Sequence, residues 1–153
     1  MKPHILVVED NAFSRELLCD WLELQGFTVD SATSLSEALA AVRRCEPAAV
    51  LLDVQLGGED GLSVAAWLRL DKARQHIPVI AVTAHAMISE QERILKAGCN
   101  ACISKPVDFR LLLEKLNRWL TVAGVMNHNA RTEGPIPEQP FCGTKEMPCR
   151  TKC

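Results

Sequence analysis

Residues 48–53 read AAVLLD, an uninterrupted apolar run that ends at a carboxylate, Asp53. A strand exposed on one face alternates apolar and polar residues, whereas an unbroken apolar run indicates a strand buried on both faces of a parallel sheet. Two other stretches, ILVV at residues 5–8 and VIAV at residues 79–82, have the same character. The three runs therefore predict the central strands of an α/β sheet.

Strand-like and helix-like periods alternate from residue 4 to residue 120, with short turn segments between them. This alternation is typical of a doubly wound α/β fold, in which helices cover both faces of a parallel sheet. We expect five strands, at residues 4–8, 27–31, 48–52, 79–82 and 101–103. Residues 27–30 (FTVD) alternate in polarity, so the second strand should lie nearer an edge.

Several helix starts carry a sequence signal. Ser34 with Glu37, and Ser89 with Glu92, have the spacing of a capping box, so we expect helices to begin at those serines. Asp108 is the predicted N-cap of the last helix. The apolar residues of that helix recur at spacings of three and four, and this stripe should pack on the sheet.

The composition indicates one globular domain, residues 3–120, followed by a flexible tail, residues 121–153, that contains four prolines in its last 27 positions. The net charge of −2 argues against a direct nucleic-acid partner. No apolar run approaches the roughly 20 residues that cross a bilayer. We therefore expect a cytoplasmic protein with no membrane partner.

The chain has seven cysteines, but their spacing does not indicate a disulfide framework. Four lie in apolar or helical patterns, and we expect these to be buried thiols: Cys19, Cys45, Cys99 and Cys102. The other three lie in the tail. With His128 they form an alternative zinc set, yet their spacing matches no zinc knuckle, so a tail without metal is favoured.

Polar side chains follow four of the five predicted strands, in the segments Glu9-Asp10, Asp53, Thr83 and Lys105-Pro106. In an open parallel sheet, ligands bind outside the carboxyl ends of the strands, so these side chains should share one crevice. Two carboxylates about 4 Å apart repel by roughly 4 kcal/mol at an effective dielectric of 20, so the acidic groups require a cation. An all-oxygen ligand set favours Mg²⁺ over zinc. With Lys105 and Thr83 as donors to a phosphoryl group, Asp53 is the expected nucleophile.

Over residues 3–120 the chain resembles the receiver domains of two-component response regulators. The resemblance is carried by the acidic pair at residues 9–10, by Asp53 with Gly61 eight residues on, by Thr83-Ala84, and by Lys105-Pro106. It implies a flavodoxin-like fold with sheet order 2-1-3-4-5 and helices on both faces. Residues 77–106 are most similar to the small stand-alone receivers of bacterial cell-cycle signalling.

The resemblance also implies what the chain does. Asp53 would accept a phosphoryl group from a sensor histidine kinase or a histidine phosphotransfer protein. The chain would then signal by binding a downstream protein effector, as a monomer or weak dimer. It would be a switch rather than an enzyme, although receivers catalyse their own phosphorylation and slow hydrolysis.

The same resemblance assigns the site residues. In the family, Mg²⁺ is bound by the acidic pair, the phosphoacceptor and a backbone carbonyl, which here are Glu9, Asp10, Asp53 and Gln55. Thr83 and Lys105 would contact the phosphoryl group, and the Lys-Pro peptide is usually cis in the family. Further modulating positions are Ala84, His85, Cys102 and Pro106. His85 would tune attack of water together with Gln55, or is simply a surface histidine.

Two positions depart from the family pattern. The family commonly has proline four residues after the phosphoacceptor, where this chain has Gly57-Gly58, which should loosen the loop entropically. Cys102 stands where the family usually has a tyrosine or phenylalanine that moves inward on phosphorylation. We therefore predict a smaller or different change on the surface formed by the fourth helix, the fifth strand and the fifth helix.

Other interpretations remain open. A phosphorelay intermediate fits the same residues, and a phosphorylation-independent scaffold is made plausible by Gly57 and Cys102. A hydrolase with an aspartyl-phosphate intermediate usually has a second aspartate at the position of Gln55, which argues against turnover of phosphate esters. Phe13, Leu17 and Leu18 form a candidate docking patch for a phosphodonor helix, but at least one of them should pack in the core.

Overall fold

The computed structural model describes residues 3–85 and 87–122. Seven strands are present in this part of the chain: β1 His4–Val8, β2 Thr28–Ala32, β3 Ala49–Asp53, β4 Gln55–Leu56, β5 Glu59–Asp60, β6 Val79–Thr83 and β7 Ala101–Ser104. The helices are α1 Ala12–Leu24, α2 Leu35–Arg44, α3 Leu62–Leu70, α4 Ile88–Lys96 and α5 Phe109–Val122. All but the first two residues of the predicted tail lie outside the described residues, so its flexibility stays a prediction.

Five of the strands form one parallel sheet in the order β2-β1-β3-β6-β7. Counted among its own five strands, this is the predicted order 2-1-3-4-5, so the flavodoxin-like fold is confirmed. β2 lies at an edge, as its alternating polarity predicted. β4 and β5 form a separate antiparallel hairpin between β3 and α3.

The sheet is covered on both faces. Leu6 and Val8 of β1 pack with α2, α3 and α4, whereas Ile5 and Val7 pack with α1 and α5. Because side chains alternate along a strand, the apolar runs of β1, β3 and β6 contribute to both cores. The residues that end these strands are thereby held at one edge of a rigid sheet.

Most predicted element ends agree with the structure to within one residue. Ser34 caps α2 by accepting a hydrogen bond from the Glu37 amide, and the Asp108 carboxylate accepts from amides in the first turn of α5. The predicted start at Ser89 is wrong. α4 already begins at Ile88, because the Gln91 amide donates to the carbonyl of Met87, one turn earlier.

The four cysteines among the described residues are free thiols. Cys99 is buried, and Cys19 and Cys102 are half-buried. The expectation of burial is wrong for Cys45, which is exposed because it follows the last residue of α2 at the surface. Within the described residues, no helix has the length and apolar character needed to span a membrane.

Candidate functional site

Three carboxylates meet at the carboxyl edge of the sheet. Glu9 and Asp10 follow β1, and Asp53 is the last residue of β3, the strand that pairs with β1. One oxygen from each lies within 4.8 Å of the others. Glu9 and Asp53 are buried and Asp10 is exposed, so the cluster opens to solvent on one side. We call these three residues the acidic cluster.

Lys105 follows the edge strand β7 and places a positive charge beside the acidic cluster. Its Nζ lies 3.1 Å from Asp53 Oδ2 and 3.6 Å from Glu9 Oε1. Lys105 follows β7, and the peptide bond to Pro106 is cis. Because β6 lies between β7 and β3, the Lys105 side chain reaches past the end of β6 to Asp53. Asp53 and Lys105 line an open cleft of about 700 Å³.

Burial and neighbouring charges shift the pKa values of two residues of the site, Glu9 and Lys105. Burial, together with the neighbouring Asp53 carboxylate, raises the pKa of Glu9 to about 7. Burial acts to lower the pKa of Lys105, but the hydrogen bond and charge of Asp53 and the charge of Glu9 raise it above its ordinary value. The Glu9 carboxylate is therefore destabilised chiefly by its own burial, whereas the Lys105 ammonium is stabilised by the two carboxylates that it contacts.

The donor set of the acidic cluster fits a hard divalent cation. It consists of carboxylate oxygens, and Mg²⁺ prefers oxygen ligands while retaining several waters. The opening at Asp10 leaves room for water and for a phosphoryl oxygen. The residues present therefore suit Mg²⁺ better than zinc, which favours nitrogen and sulfur ligands.

Residues 5–117 match the family model of the response regulator receiver domain. The chain belongs to this family.

Two relatives of this receiver are matched over almost their whole length. The polar-differentiation response regulator DivK of Brucella ovis is 40% identical over 120 residues, which cover 78% of this chain and 98% of DivK. A crystal structure of a CheY-like receiver domain protein from Methanospirillum hungatei is 29% identical with a TM-score of 0.74, covering 81% of this chain and 98% of that one. The receiver is therefore similar to proteins that consist of little more than this domain.

Similarity also extends to part of a longer protein. The crystal structure of NtrX from Brucella abortus in complex with ADP is 26% identical with a TM-score of 0.72 and covers 84% of this chain. The receiver spans only 28% of the NtrX chain.

The structure of this receiver does not bring every predicted site residue together. Thr83, at the end of β6, is buried, and its hydroxyl accepts a hydrogen bond from the His85 amide at 3.0 Å and donates to the His85 carbonyl at 3.3 Å. No hydrogen bond joins Thr83 Oγ1 to the acidic cluster or Lys105 among the described residues. Ala84 lines the cleft, and His85 is exposed beside it.

The glycines near Asp53 have steric roles in this receiver. A Cβ at Gly61 would lie 2.0 Å from the Asp53 carbonyl oxygen, so only glycine fits there. Gly57 and Gly58 have φ of +50° and +94° and close the hairpin of β4 and β5, as a two-residue type I′ turn requires. The pair thus builds an ordered turn, and a Cβ at Gly57 would lie 3.2 Å from Asp10 Oδ2.

Cys102 lies in β7, opposite Ala81 of β6. Burial raises the pKa of its thiol, while the positive charge of Lys115 on α5 opposes the shift. The half-buried thiol occupies the surface between α4 and α5 where an aromatic residue was expected from the family pattern. Whether this alters switching stays a prediction.

Three residues beside the acidic cluster and the cleft do not belong to the family pattern: Asn11, Arg15 and Arg93. The Asn11 amide donates to Glu9 Oε2 at 3.2 Å, and its side chain caps α1. An asparagine before a helix is a recognised N-cap signal and would have indicated this role, which the sequence predictions missed. Arg15 contacts the main chain of residues 9 and 10, and Arg93 of α4 lines the cleft and pairs with Asp60 at 3.2 Å. No spacing in the sequence indicates either arginine.

Proposed function

We propose that this receiver accepts a phosphoryl group on Asp53 from a sensor histidine kinase or a histidine phosphotransfer protein. The observation that carries the proposal is the placement of the Asp53 carboxylate 3.1 Å from Lys105 Nζ, within a cluster of three carboxylates. A carboxylate nucleophile, a fixed cation and a divalent-ion site are the parts that phosphoryl transfer requires.

In the proposed step, a carboxylate oxygen of Asp53 forms a bond to phosphorus while the bond from phosphorus to the donor imidazole nitrogen breaks. The electron pair stays on that nitrogen, which then takes a proton from solvent. Lys105 stabilises negative charge on the transferred group. No general base is needed, because the carboxylate is already deprotonated when it attacks.

Glu9, Asp10 and Asp53, with the backbone carbonyl of Gln55, would hold Mg²⁺. When bound, the ion would neutralise carboxylate charge and provide a position for a phosphoryl oxygen. The surrounding residues would position Asp53 and exclude other directions of attack. In phosphoryl transfer, such positioning is the larger part of catalysis.

Switching would begin at Thr83. Its hydroxyl donates to the His85 carbonyl and accepts from the His85 amide, so donation to a phosphoryl oxygen requires the first of these hydrogen bonds to break. The loop at Ala84 and His85 would move with it. We assign His85 and Gln55 to the control of water attack on the phosphoaspartate, and Cys102 to a reduced response at α4, β7 and α5.

The phosphodonor would dock on α1 and on the segment after Lys105. Phe13 and Leu17 have exposed fractions of 76% and 46%, and Leu17 lines an apolar groove with Pro106 and Val107 beside the cleft. Leu18 is buried, as expected for at least one member of that patch. An apolar helix face carrying the donor histidine would fit this surface.

Output would be binding of a downstream protein effector in the cytoplasm. Met87 and Ile88 at the start of α4 are exposed apolar residues and offer a surface for such a partner. A phosphorelay intermediate would use the same site both to accept the phosphoryl group and to pass it on.

The deciding experiment is incubation of the full chain with acetyl phosphate and Mg²⁺, followed by intact mass measurement. The wild-type chain should gain an adduct of about 80 Da, the mass of one phosphoryl group, as an acyl phosphate on the Asp53 carboxylate. Asp53→Asn should gain none, and Asp30→Asn, a carboxylate on β2 away from the acidic cluster, should behave as wild type. An adduct that persists in Asp53→Asn refutes the assignment, and no adduct in the wild type favours the scaffold alternative.

A further inference from the structure

One arginine holds the main chain that carries two of the three cluster carboxylates. Arg15 Nη1 donates to the carbonyl oxygen of Glu9 at 3.1 Å and to that of Asp10 at 3.4 Å. The Arg15 amide donates to the carbonyl oxygen of Asn11 at 2.9 Å. The Arg15 guanidinium therefore bonds two consecutive carbonyl groups, in addition to the main-chain bond that its amide makes as part of the helix.

The three carboxylates are not held equally. Those of Glu9 and Asp53 each accept a hydrogen bond from the amide two residues later, and both contact Lys105. The Asp10 carboxylate is exposed and accepts no hydrogen bond from any residue that the structure describes. Its position is therefore determined by its own main chain, which Arg15 holds.

We propose that Arg15 is a positioning residue that orients Asp10, and with it Glu9, for the divalent cation. This inference rests on the proposed Mg²⁺ site and gives Arg15 no contact with the ion. Mg²⁺ demands near-ideal octahedral geometry at about 2.0–2.1 Å, whereas Ca²⁺ accepts a flexible arrangement. Loss of a group that orients a ligand should therefore weaken Mg²⁺ binding more than Ca²⁺ binding.

A purely electrostatic role predicts the opposite result. Removing a positive charge beside three carboxylates would strengthen the binding of both divalent ions, and to a similar extent, because the two ions carry the same charge. Two measurements therefore distinguish a positioning role from an electrostatic role. One is whether the substitution weakens or strengthens Mg²⁺ binding, and the other is the ratio of the Mg²⁺ and Ca²⁺ affinities.

The test is isothermal titration calorimetry of Mg²⁺ and Ca²⁺ into the full chain of four proteins: wild type, Arg15→Ala, Arg15→Lys and Arg118→Ala. Arg118→Ala is the matched control, because it removes the same charge from an exposed position on α5. Arg15→Ala should weaken Mg²⁺ binding about tenfold, the lower end of the range for groups that orient metal ligands, and Ca²⁺ binding by much less. Arg15→Lys should recover part of the loss, since an ammonium group still donates hydrogen bonds.

Several results would overturn the inference. Unchanged or tighter Mg²⁺ binding by folded Arg15→Ala, or an equal loss for both ions, removes the positioning role. If circular dichroism shows that Arg15→Ala is unfolded, the test rests on Arg15→Lys. The proposal is then refuted if Arg15→Lys has the same ratio of Mg²⁺ to Ca²⁺ affinity as the wild-type chain. Absence of Mg²⁺ binding by the wild-type chain is a distinct result, because it refutes the metal site itself.

Discussion

Replacement of Gly61 by alanine should displace Asp53 without altering its chemistry. A Cβ at residue 61 would lie 2.0 Å from the Asp53 carbonyl oxygen and 3.1 Å from the Val54 carbonyl oxygen, whereas real Cβ atoms essentially never approach within 3.0 Å. The two segments must therefore separate by about 1 Å, and a misplacement of about 1 Å can cost about 100-fold in rate. We expect this loss in the rate of Asp53 phosphorylation, with about 1–3 kcal/mol lost in the free energy of unfolding.

The assay follows the 80 Da adduct by intact mass, with acetyl phosphate and Mg²⁺, at a temperature where circular dichroism shows each variant folded. Gly58→Ala is the matched control: a Cβ there meets nothing within 4 Å, although φ of +94° strains any side chain. That strain costs roughly 1–2 kcal/mol of stability but should leave the rate within about threefold of wild type. A folded Gly61→Ala protein that reacts at the wild-type rate, or equal rate losses in both variants, would refute the steric reasoning.

Three further predictions concern the lysine, a half-buried arginine and the thiols. Lys105→Ala should slow phosphorylation by acetyl phosphate about 100-fold to 1000-fold, because a preorganised donor to the transferred group is lost; a rate within tenfold of wild type would contradict this. Arg69→Ala should reduce the free energy of unfolding in urea by about 3 kcal/mol, since its guanidinium donates to the carbonyls of residues 75, 77 and 98 and to Asn100; an unchanged urea midpoint would show these bonds to be dispensable. Burial raises the pKa of the Cys99 thiol to about 12, so among the described cysteines iodoacetamide at pH 8 should label exposed Cys45 first and Cys99 only in the unfolded chain, as peptide mass mapping can check.

The strands and the residues that follow them could be predicted because both signals are local. An apolar run such as residues 48–52 indicates a buried strand wherever it occurs, and parallel strands bring their carboxyl ends to one edge. Those two facts are enough to predict that Glu9, Asp10, Asp53 and Lys105 lie near one another. Strand ends still shifted by one residue, and Asp53 joins the ladder of β3 because it pairs with Val82.

The glycine pair at residues 57–58 shows where local reasoning was incomplete. Residue type alone indicates a loosened loop, because glycine has high conformational entropy when unfolded. The structure places both residues at positive φ in a two-residue hairpin, with Gly57 against Asp10. The hairpin lies close to the β1–α1 loop only in the folded chain. The spacing of residues 55–60 therefore could not predict this proximity.

Thr83 is a second example. Its position after β6 was predictable, but its hydroxyl is engaged by the main chain of His85 rather than by the acidic cluster. Which partner a hydroxyl takes depends on distances of a few tenths of an ångström, which are set by packing and not by residue type.

By itself, the sequence determined the α/β fold, the edge of the sheet where the polar groups meet, and the oxygen-rich donor set, because periodicity and strand-end chemistry are properties of short segments. Only the tertiary structure decided which groups support and line that site: the Arg15 guanidinium bonds the carbonyls of Glu9 and Asp10, Gly61 lies against Asp53, and Arg93 of α4 lines the cleft. The physical reason is that hydrogen bonds and steric contacts depend on the distance between atoms in space. Residues separated by variable lengths of chain acquire that distance only when the sheet and its helices have packed.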